Sequence, residues 1–294
     1  MFEKVKRKVF DQLGFRISRI NLKRHFSFKQ DTRETAPFKL LFFSGSGGVN
    51  YLNASLISVY NTWEKLPEVL IVTDGTPVSV FEENIIDWPK KVEIITWAVC
   101  ASYYRQNGNA DLHKYAAEEL WGKKLVSILY YAEKYPVLYS DTDILWFSYP
   151  KGIDTGIKPC LQMGEDIEPC YSRPMLTALN EEKCLEKAPL NAGLIFANGD
   201  FATYSNWKGL CTYLSGFPDF RTEQTAFAIL NNYFNPDKYW NKNNVLINTD
   251  DKYSLRYTKK DFPSIFARHY VNNKDVTFWR DFVFMKFKKK KIIQ

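Results

Sequence analysis

Asp141 and Asp143 are the residues whose type and spacing point most directly to chemistry. They close the apolar run Val137-Leu138-Tyr139-Ser140, and apolar character resumes at Ile144-Leu145-Trp146-Phe147. In an extended strand alternate side chains share a face, so the two carboxylates are expected to project together from the strand's end. Clustered carboxylates repel one another unless a cation sits between them, and an oxygen-rich pair suits Mg²⁺ or Mn²⁺. A cation held there would need only a diphosphate to complete its shell. With 17 Asp in 294 residues, about one Asp-x-Asp arises by chance, so the surrounding sequence has to carry the assignment.

Other segments offer further candidates. Ser44-Gly45-Ser46-Gly47-Gly48 ends the apolar run 38–43. Gly45-x-Gly47-x-x-Asn50 lacks the third glycine of the dinucleotide fingerprint, and no Gly-Lys-Ser/Thr follows to make a P-loop. The loop either brings backbone close to a base or ribose or serves as a tight strand-to-helix turn. Asn191-Ala192-Gly193 opens another apolar run and sets a side-chain amide beside backbone that a ligand can approach closely. Glu223-Gln224 follows a helical segment, and residues 265–271 read as a strand carrying one imidazole, His269.

These groups need elements to position them. Residues 38–43, 69–73 and 92–97 read as strands, and the run Val137–Trp146 that carries Asp141 as a further one. Residues 51–64 and 111–134 have helical periodicity, the latter interrupted near Gly122, and a further helix carries Trp207. Strands alternating with helices predict an α/β fold with a mostly parallel central sheet covered by helices on both faces. Ligands of such sheets sit at the carboxyl ends of the strands, where Ser44–Gly48, Asp74 and Asp141/Asp143 all fall.

The totals narrow the class. A hydrophobic fraction of 45% and an aromatic fraction of 16% fit a packed globular chain. No apolar run is long enough to span a bilayer, and the charged N-terminus has no secretory h-region, so a cytoplasmic location is expected. Five cysteines, at 100, 160, 170, 184 and 211, match no zinc or disulfide spacing and are expected to be buried reduced thiols. The net charge of +7 conceals a division: residues 1–30 carry +7 and 286–294 carry +5, which leaves the body between at −5. Phe2, Val5, Val9, Leu13, Ile17 and Ile20 recur at helical steps among Lys and Arg, giving an amphipathic helix weakened at Gly14. It either packs on the domain with a solvated basic face or lies on an anionic membrane surface. The basic run Lys286–Lys291 at the other end favours the membrane. Nucleic acid is disfavoured, because the acidic body lacks a continuous basic groove. The expected division is a basic N-terminal segment (1–37), a domain (38–280) and a basic tail (281–294).

In their order these parts resemble the nucleotide-diphospho-sugar glycosyltransferases of the GT-A fold, most closely retaining, DxD-containing families. The resemblance covers about residues 38–280 and rests on Lys124, the strand Val137–Trp146 with its Asp-x-Asp, Asn191–Gly193, Glu223-Gln224 and His269. It implies a single GT-A domain with Asp141, Asp143 and His269 as metal ligands. An imidazole in the set fits Mn²⁺ at least as well as Mg²⁺. By the same resemblance Lys124, or Lys123 in its place, would reach the donor's phosphate or sugar. Ser44, Gly45 and Asp74 would be further donor contacts, and Asn191 and Gly193 would line the donor-sugar pocket. Glu223 would bind the sugar's hydroxyls and Gln224 would sit near its anomeric carbon. Two departures stand out: Glu223 replaces the usual Asp, and the Gly-x-x-Lys-Pro-Trp that follows His in some relatives is absent. Lys274 or Arg280 would then neutralise the diphosphate.

The implied reaction moves a hexose from a nucleotide sugar, UDP ahead of GDP, to a hydroxyl of a saccharide, lipid-linked or protein acceptor. Acceptor loops are expected within 99–112, 148–190 and 235–262, which read as irregular and aromatic-rich. No carboxylate stands out as a nucleophile and the amide of Gln224 is a poor one, so retention by same-face attack is expected. Two other classes compete. Asp-x-Asp also opens the aspartyl-phosphate phosphatases, with Asp250-Asp251 as a distal acidic pair. Their motif lies near the domain's start, however, and expects Thr or Val where Leu145 stands. A catalytically inactive membrane-peripheral scaffold would keep the fold but would have no use for Asp141, Asp143 and His269 together.

Overall fold

Alternation along the first strands decides how the sheet is covered. Leu40 and Phe42 join one buried cluster with Val69, Ile71 and Leu138, while Leu41 joins the other with Leu70, Val72 and Val137. Each such side chain, fully buried, contributes about 1.5–3 kcal/mol. In the computed structural model of the chain, residues 2–28, 31–247, 264–271 and 274–289 are described. The first half runs α1 (Phe2–Ile17), β1 (Lys39–Ser44), α2 (Val49–Thr62), β2 (Val69–Thr73), α3 (Val78–Asn84), β3 (Val92–Thr96), α4 (Trp97–Gln106), α5 (Ala110–Glu118), α6 (Leu120–Lys134) and β4 (Val137–Ser140). The second half runs β5 (Ile144–Trp146), β6 (Cys160–Glu165), α7 (Arg173–Leu179), β7 (Leu190–Asn198), α8 (Trp207–Gly216), α9 (Thr222–Phe234), β8 (Tyr239–Trp240), β9 (Val245–Ile247), β10 (Ala267–His269) and α10 (Lys274–Lys289).

Seven strands form the main sheet in the order β3-β2-β1-β4-β7-β6-β8. All neighbours are parallel except β7, which is antiparallel to β4 and β6. This is the mostly parallel α/β sheet expected, with one strand reversed. The reversal brings the amino end of β7 to the edge where β1, β2, β4 and β6 have their carboxyl ends. A second sheet, β5-β10-β9, pairs His269 with Ile144 in antiparallel register.

Several expectations need correction. The run Val137–Trp146 is not one strand: β4 stays in the main sheet, the chain turns at Asp141–Asp143, and β5 enters the second sheet. The helical stretch 111–134 breaks at Glu119, not at Gly122. Gly122 lies inside α6, and a Cβ there would come within 2.4 Å of the Tyr115 carbonyl oxygen, so glycine permits the close approach of α5. Residues 99–112 are largely helical rather than irregular. The boundary at 280/281 falls inside α10, because Phe278, Trp279, Phe282 and Val283 form one buried stripe across it. Four cysteines are buried and free as expected, but Cys170 is exposed.

The amphipathic helix α1 is present and docks on α10. Gly14 is the contact point, where a Cβ would lie 2.9 Å from the Arg280 amide nitrogen. Arg280, fully buried, pairs with Asp11 at 3.4 Å and with Asp281 at 3.7 Å, which removes it from the role of diphosphate cation. No helix among the described residues is long and apolar enough to cross a membrane. Asp250 and Asp251, the side chains of Lys286–Lys291 and residues 248–262 of the third acceptor segment lie outside the described residues.

Candidate active site

Ser44, Gly45 and Asp74 follow the carboxyl ends of β1 and β2, Asp141 and Asp143 lie on the turn after β4, and Lys124, Glu223, Gln224, His269 and Lys274 reach that region from α6, α9, β10 and α10. The Asp141 N–H donates to the Gly193 carbonyl (2.8 Å) and the Tyr270 N–H to the Asp143 carbonyl (3.1 Å), so the turn is fixed to both sheets. His269 then faces both carboxylates, with Nε2 3.4 Å from Asp141 Oδ2 and 3.3 Å from Asp143 Oδ1. The two carboxylates therefore converge through an inter-sheet turn rather than through strand alternation.

Asn191 and Gly193 open the reversed β7 beside this turn. Asn191 Oδ1 accepts from the Gly193 N–H (2.8 Å) and stands 3.1 Å from His269 Nδ1. Gly193 allows the imidazole to approach the backbone closely, since a Cβ would come within 2.2 Å of His269 Cε1. Glu223 and Gln224 begin α9. The Lys124 ammonium lies 3.2 Å from Glu223 Oε1 and 3.4 Å from Asp141 Oδ1, with Lys124 only 3% exposed. That ammonium is committed to two carboxylates and fixes them, whereas its neighbour Lys123 turns outward and donates to the Asp74 carbonyl (3.0 Å). Gln224 is held loosely, with contacts of 3.4–3.5 Å to Ala192 N, Cys170 O and Asp166 Oδ2.

Ser44, Gly45 and Asp74 form an adjoining group. Ser44 and Thr73 pair in register, and the Asp74 N–H donates to the Ser44 carbonyl (3.1 Å). A Cβ at Gly45 would meet Asp74 Oδ2 at 2.3 Å, and one at Gly48 would meet Ser44 Oγ at 2.4 Å and Thr142 Oγ1 at 3.6 Å. The glycine loop thus abuts the Asp141–Asp143 turn. From the far side Lys274, about half exposed, reaches Asp143 Oδ2 at 3.0 Å.

The electrostatics are those of a site built around positive charge. Burial alone would raise the Asp143 carboxyl, but His269 and Lys274 overcome it and hold the group below the usual carboxylate range. Burial would lower His269, yet Asp143 and Asp141 outweigh it and raise the imidazole above its usual range. Burial pushes Glu223 up to about 7 despite Lys124, with Asp141 adding to the rise. The ligand atoms of Asp141, Asp143 and His269 lie within 4.8 Å of one another, a two-oxygen, one-nitrogen set that fits a divalent cation. With His269 Nδ1 engaged by Asn191, Nε2 is the atom left to bind it.

Three contributors were not legible as motifs. Tyr139 donates its hydroxyl to Asp141 Oδ1; its place two residues earlier on a strand was the available signal. Tyr51, on the first turn of α2, donates to Asp275 beside Lys274. Asp166, just past β6, accepts from Asn191 Nδ2 (3.0 Å) and carries no motif at all.

No family model and no curated protein matches the sequence. The likeness is to solved structures. Apo mouse xyloside xylosyltransferase 1 superposes with a TM-score of 0.52 at 12% identity, over 81% of this chain and 98% of the other. The galactosyltransferase LgtC, in complex with donor and acceptor sugar analogues, gives 0.53 at 15% identity over 86% and 96%. An active-site glutamine-to-glutamate variant of LgtC gives 0.53 at 16% over the same shares. The chain has the GT-A glycosyltransferase fold of these structures.

Proposed function

We propose that this chain is a metal-dependent, retaining glycosyltransferase that moves a hexose from a nucleotide-diphosphate sugar, UDP ahead of GDP, to an acceptor hydroxyl. The observation that carries the reading is the convergence of Asp141, Asp143 and His269 with Asn191, Gly193, Glu223 and Gln224 at one edge of a GT-A sheet. Asp141, Asp143 and His269 would hold Mn²⁺ or Mg²⁺, which when bound supplies Lewis-acid neutralisation of the diphosphate leaving group. Lys274 adds a positive charge at Asp143 Oδ2, the other oxygen from the one nearest His269. Ser44, Gly45 and Asp74 face the nucleoside. Asn191, Gly193 and Glu223 hold the sugar, with Lys124 fixing Glu223 and Asp141 as one unit.

Among the described residues Gln224 has only long contacts, which leaves its amide available to the anomeric centre, and LgtC likewise has an active-site glutamine. Asp166, a further carboxylate beside Asn191, already accepts from Ile167 N and Asn191 Nδ2. Same-face attack, with a leaving-phosphate oxygen taking the acceptor's proton, therefore suits this site better than a covalent intermediate. Basic ends and an exposed Phe15 on α1 support a cytoplasmic enzyme peripheral to an anionic membrane, with a lipid-linked saccharide among its acceptors.

Screening UDP- and GDP-sugars for Mn²⁺-dependent hydrolysis tests the reading. Turnover of one donor, lost in Asp143→Ala, is expected. Phosphate release from a phosphomonoester without nucleotide-sugar turnover would favour the phosphatase instead, and inverted product stereochemistry by NMR would remove retention. Pelleting with phosphatidylserine vesicles, reversed by salt, is the expected sign of the membrane contact.

A further inference from the structure

The His269 imidazole can serve a cation only if its two nitrogens take different roles, and the groups behind it determine which. Asn191 Oδ1 accepts from the Gly193 N–H at 2.8 Å and faces His269 Nδ1 at 3.1 Å, while Asn191 Nδ2 donates to Asp166 Oδ2 at 3.0 Å. A carboxamide has one accepting and one donating end. With its NH₂ on Asp166, its oxygen must face the ring, so Nδ1 carries a proton whatever the state of Nε2, and Nε2 is the nitrogen whose lone pair a cation beside Asp141 and Asp143 would take. Asp166 is itself pinned: its N–H donates to the Pro189 carbonyl (2.7 Å) and its Oδ1 accepts from the Ile167 N–H (2.7 Å). The contact from Gln224 to the same carboxylate is 3.5 Å and weak, so the branch through Asn191 is the one that acts.

We propose that Asp166 is a positioning residue: through Asn191 it sets the tautomer and orientation of His269 and so prepares Nε2 to bind the divalent cation. This rests on the reading that Asp141, Asp143 and His269 hold that cation. Outer partners of ligating histidines fix the ring in the same way elsewhere, and their loss typically lowers metal affinity about 10–100-fold. Asp166 is only half-buried at the end of β6, so its contribution to folding is small and its effect should appear at the metal.

Calorimetric titration of the whole protein with Mn²⁺ alone, without nucleotide, tests this. Asp166→Ala is expected to bind Mn²⁺ about tenfold more weakly with an unchanged melting temperature for the metal-free protein. Asp166→Ser, which keeps a cap for the Ile167 N–H but falls short of Asn191, should match it, so a poorly folding Ala variant would not leave the question open. Asp166→Asn retains a carbonyl acceptor and should stay within about threefold of the parent. Asn191→Ala should lose at least as much as Asp166→Ala, and the double variant no more than Asn191→Ala alone. If Asp143→Ala abolishes binding while Asp166→Ala and Asp166→Ser bind as the parent does, or if the two losses add, the positioning role is wrong. If Asp143→Ala leaves binding unchanged, the metal reading itself fails and this inference fails with it.

Discussion

Gly193→Ala isolates the support of the imidazole with a single methyl group. The added Cβ would lie 2.2 Å from His269 Cε1, 2.4 Å from Nδ1 and 2.9 Å from Asn191 Oδ1. Comfortable carbon–carbon contact needs about 3.5 Å, so the ring must retreat by roughly 1.3 Å. That is enough to break the 3.1 Å contact to Asn191 and to displace Nε2 from the two carboxylates. Gly193 does not occupy the left-handed region of backbone space, so its backbone suits alanine and the effect belongs to the clash with the ring. Overpacking of this kind costs about 1–3 kcal/mol, and a displaced ligand should cost at least about tenfold in metal affinity. The assay is thermal melting with and without Mn²⁺. Metal at a hundredfold excess over its dissociation constant stabilises the parent by about 2.7 kcal/mol, and that gain should shrink in Gly193→Ala. Gly47→Ala, where a Cβ meets nothing within 4 Å, serves as the control and should behave as the parent. An undiminished Mn²⁺ shift in Gly193→Ala would refute the argument.

Lys124→Met leaves Glu223 and Asp141 without their shared cation. The expected loss is about 3–5 kcal/mol in urea unfolding at pH 8, smaller at pH 5 where Glu223 takes up a proton, and a pH-independent loss would contradict it. Because burial raises Glu223 from 4.5 to about 7, the folded state holds its proton more tightly than the unfolded state. Its contribution is therefore present in full below pH 4.5 and lost as pH rises through 7, by at most about 3 kcal/mol. Unfolding midpoints of Glu223→Gln across that window should lack this slope; a slope equal to the parent's would assign it to other groups. Gly14→Leu forces α1 from α10, since even a Cβ meets the Arg280 amide nitrogen at 2.9 Å, and should lower stability by about 1–3 kcal/mol in a thermal melt. A Gly14→Leu melt matching the parent's would mean that the helices are not packed this way.

The parallel core was legible because its strands are short apolar runs ending in Ser44, Asp74 and Asp141, and parallel strands put such ends on one edge. The site residues were legible as an ordered set of weak motifs, each uninformative alone. What the residue order did not reveal was geometry that depends on contacts distant in sequence. Asp141 and Asp143 lie on a turn between two sheets because His269, more than a hundred residues later, pairs beside Ile144. The glycines at 14 and 122 looked like helix breakers; each permits a neighbouring helix to approach, which local propensity cannot report. Lys124 and Lys123 could not be told apart until α6 directed one inward and the other toward Asp74. Asp166 carries no pattern, because its role depends on being pinned beside the start of β7.

The hydrogen bond from the Asp166 N–H to the Pro189 carbonyl closes the base of the excursion 167–188, which leaves the sheet edge beside the site and returns to it. A loop whose ends are clamped can be lengthened at a cost of only about 0.6 kcal/mol per doubling. Ile167 and Cys170, both exposed, show that the near part of this excursion faces solvent above Gln224. The rest of the excursion is not free to change: it carries α7 and buries Tyr171, Met175, Leu176 and Leu179 in the core, and the Tyr171 hydroxyl accepts from the Leu190 N–H beside Asn191. Sequence change beside the site is therefore tolerated at the exposed stretch Ile167–Cys170 and resisted at the buried positions from Tyr171 onward, where each substitution is felt by the core.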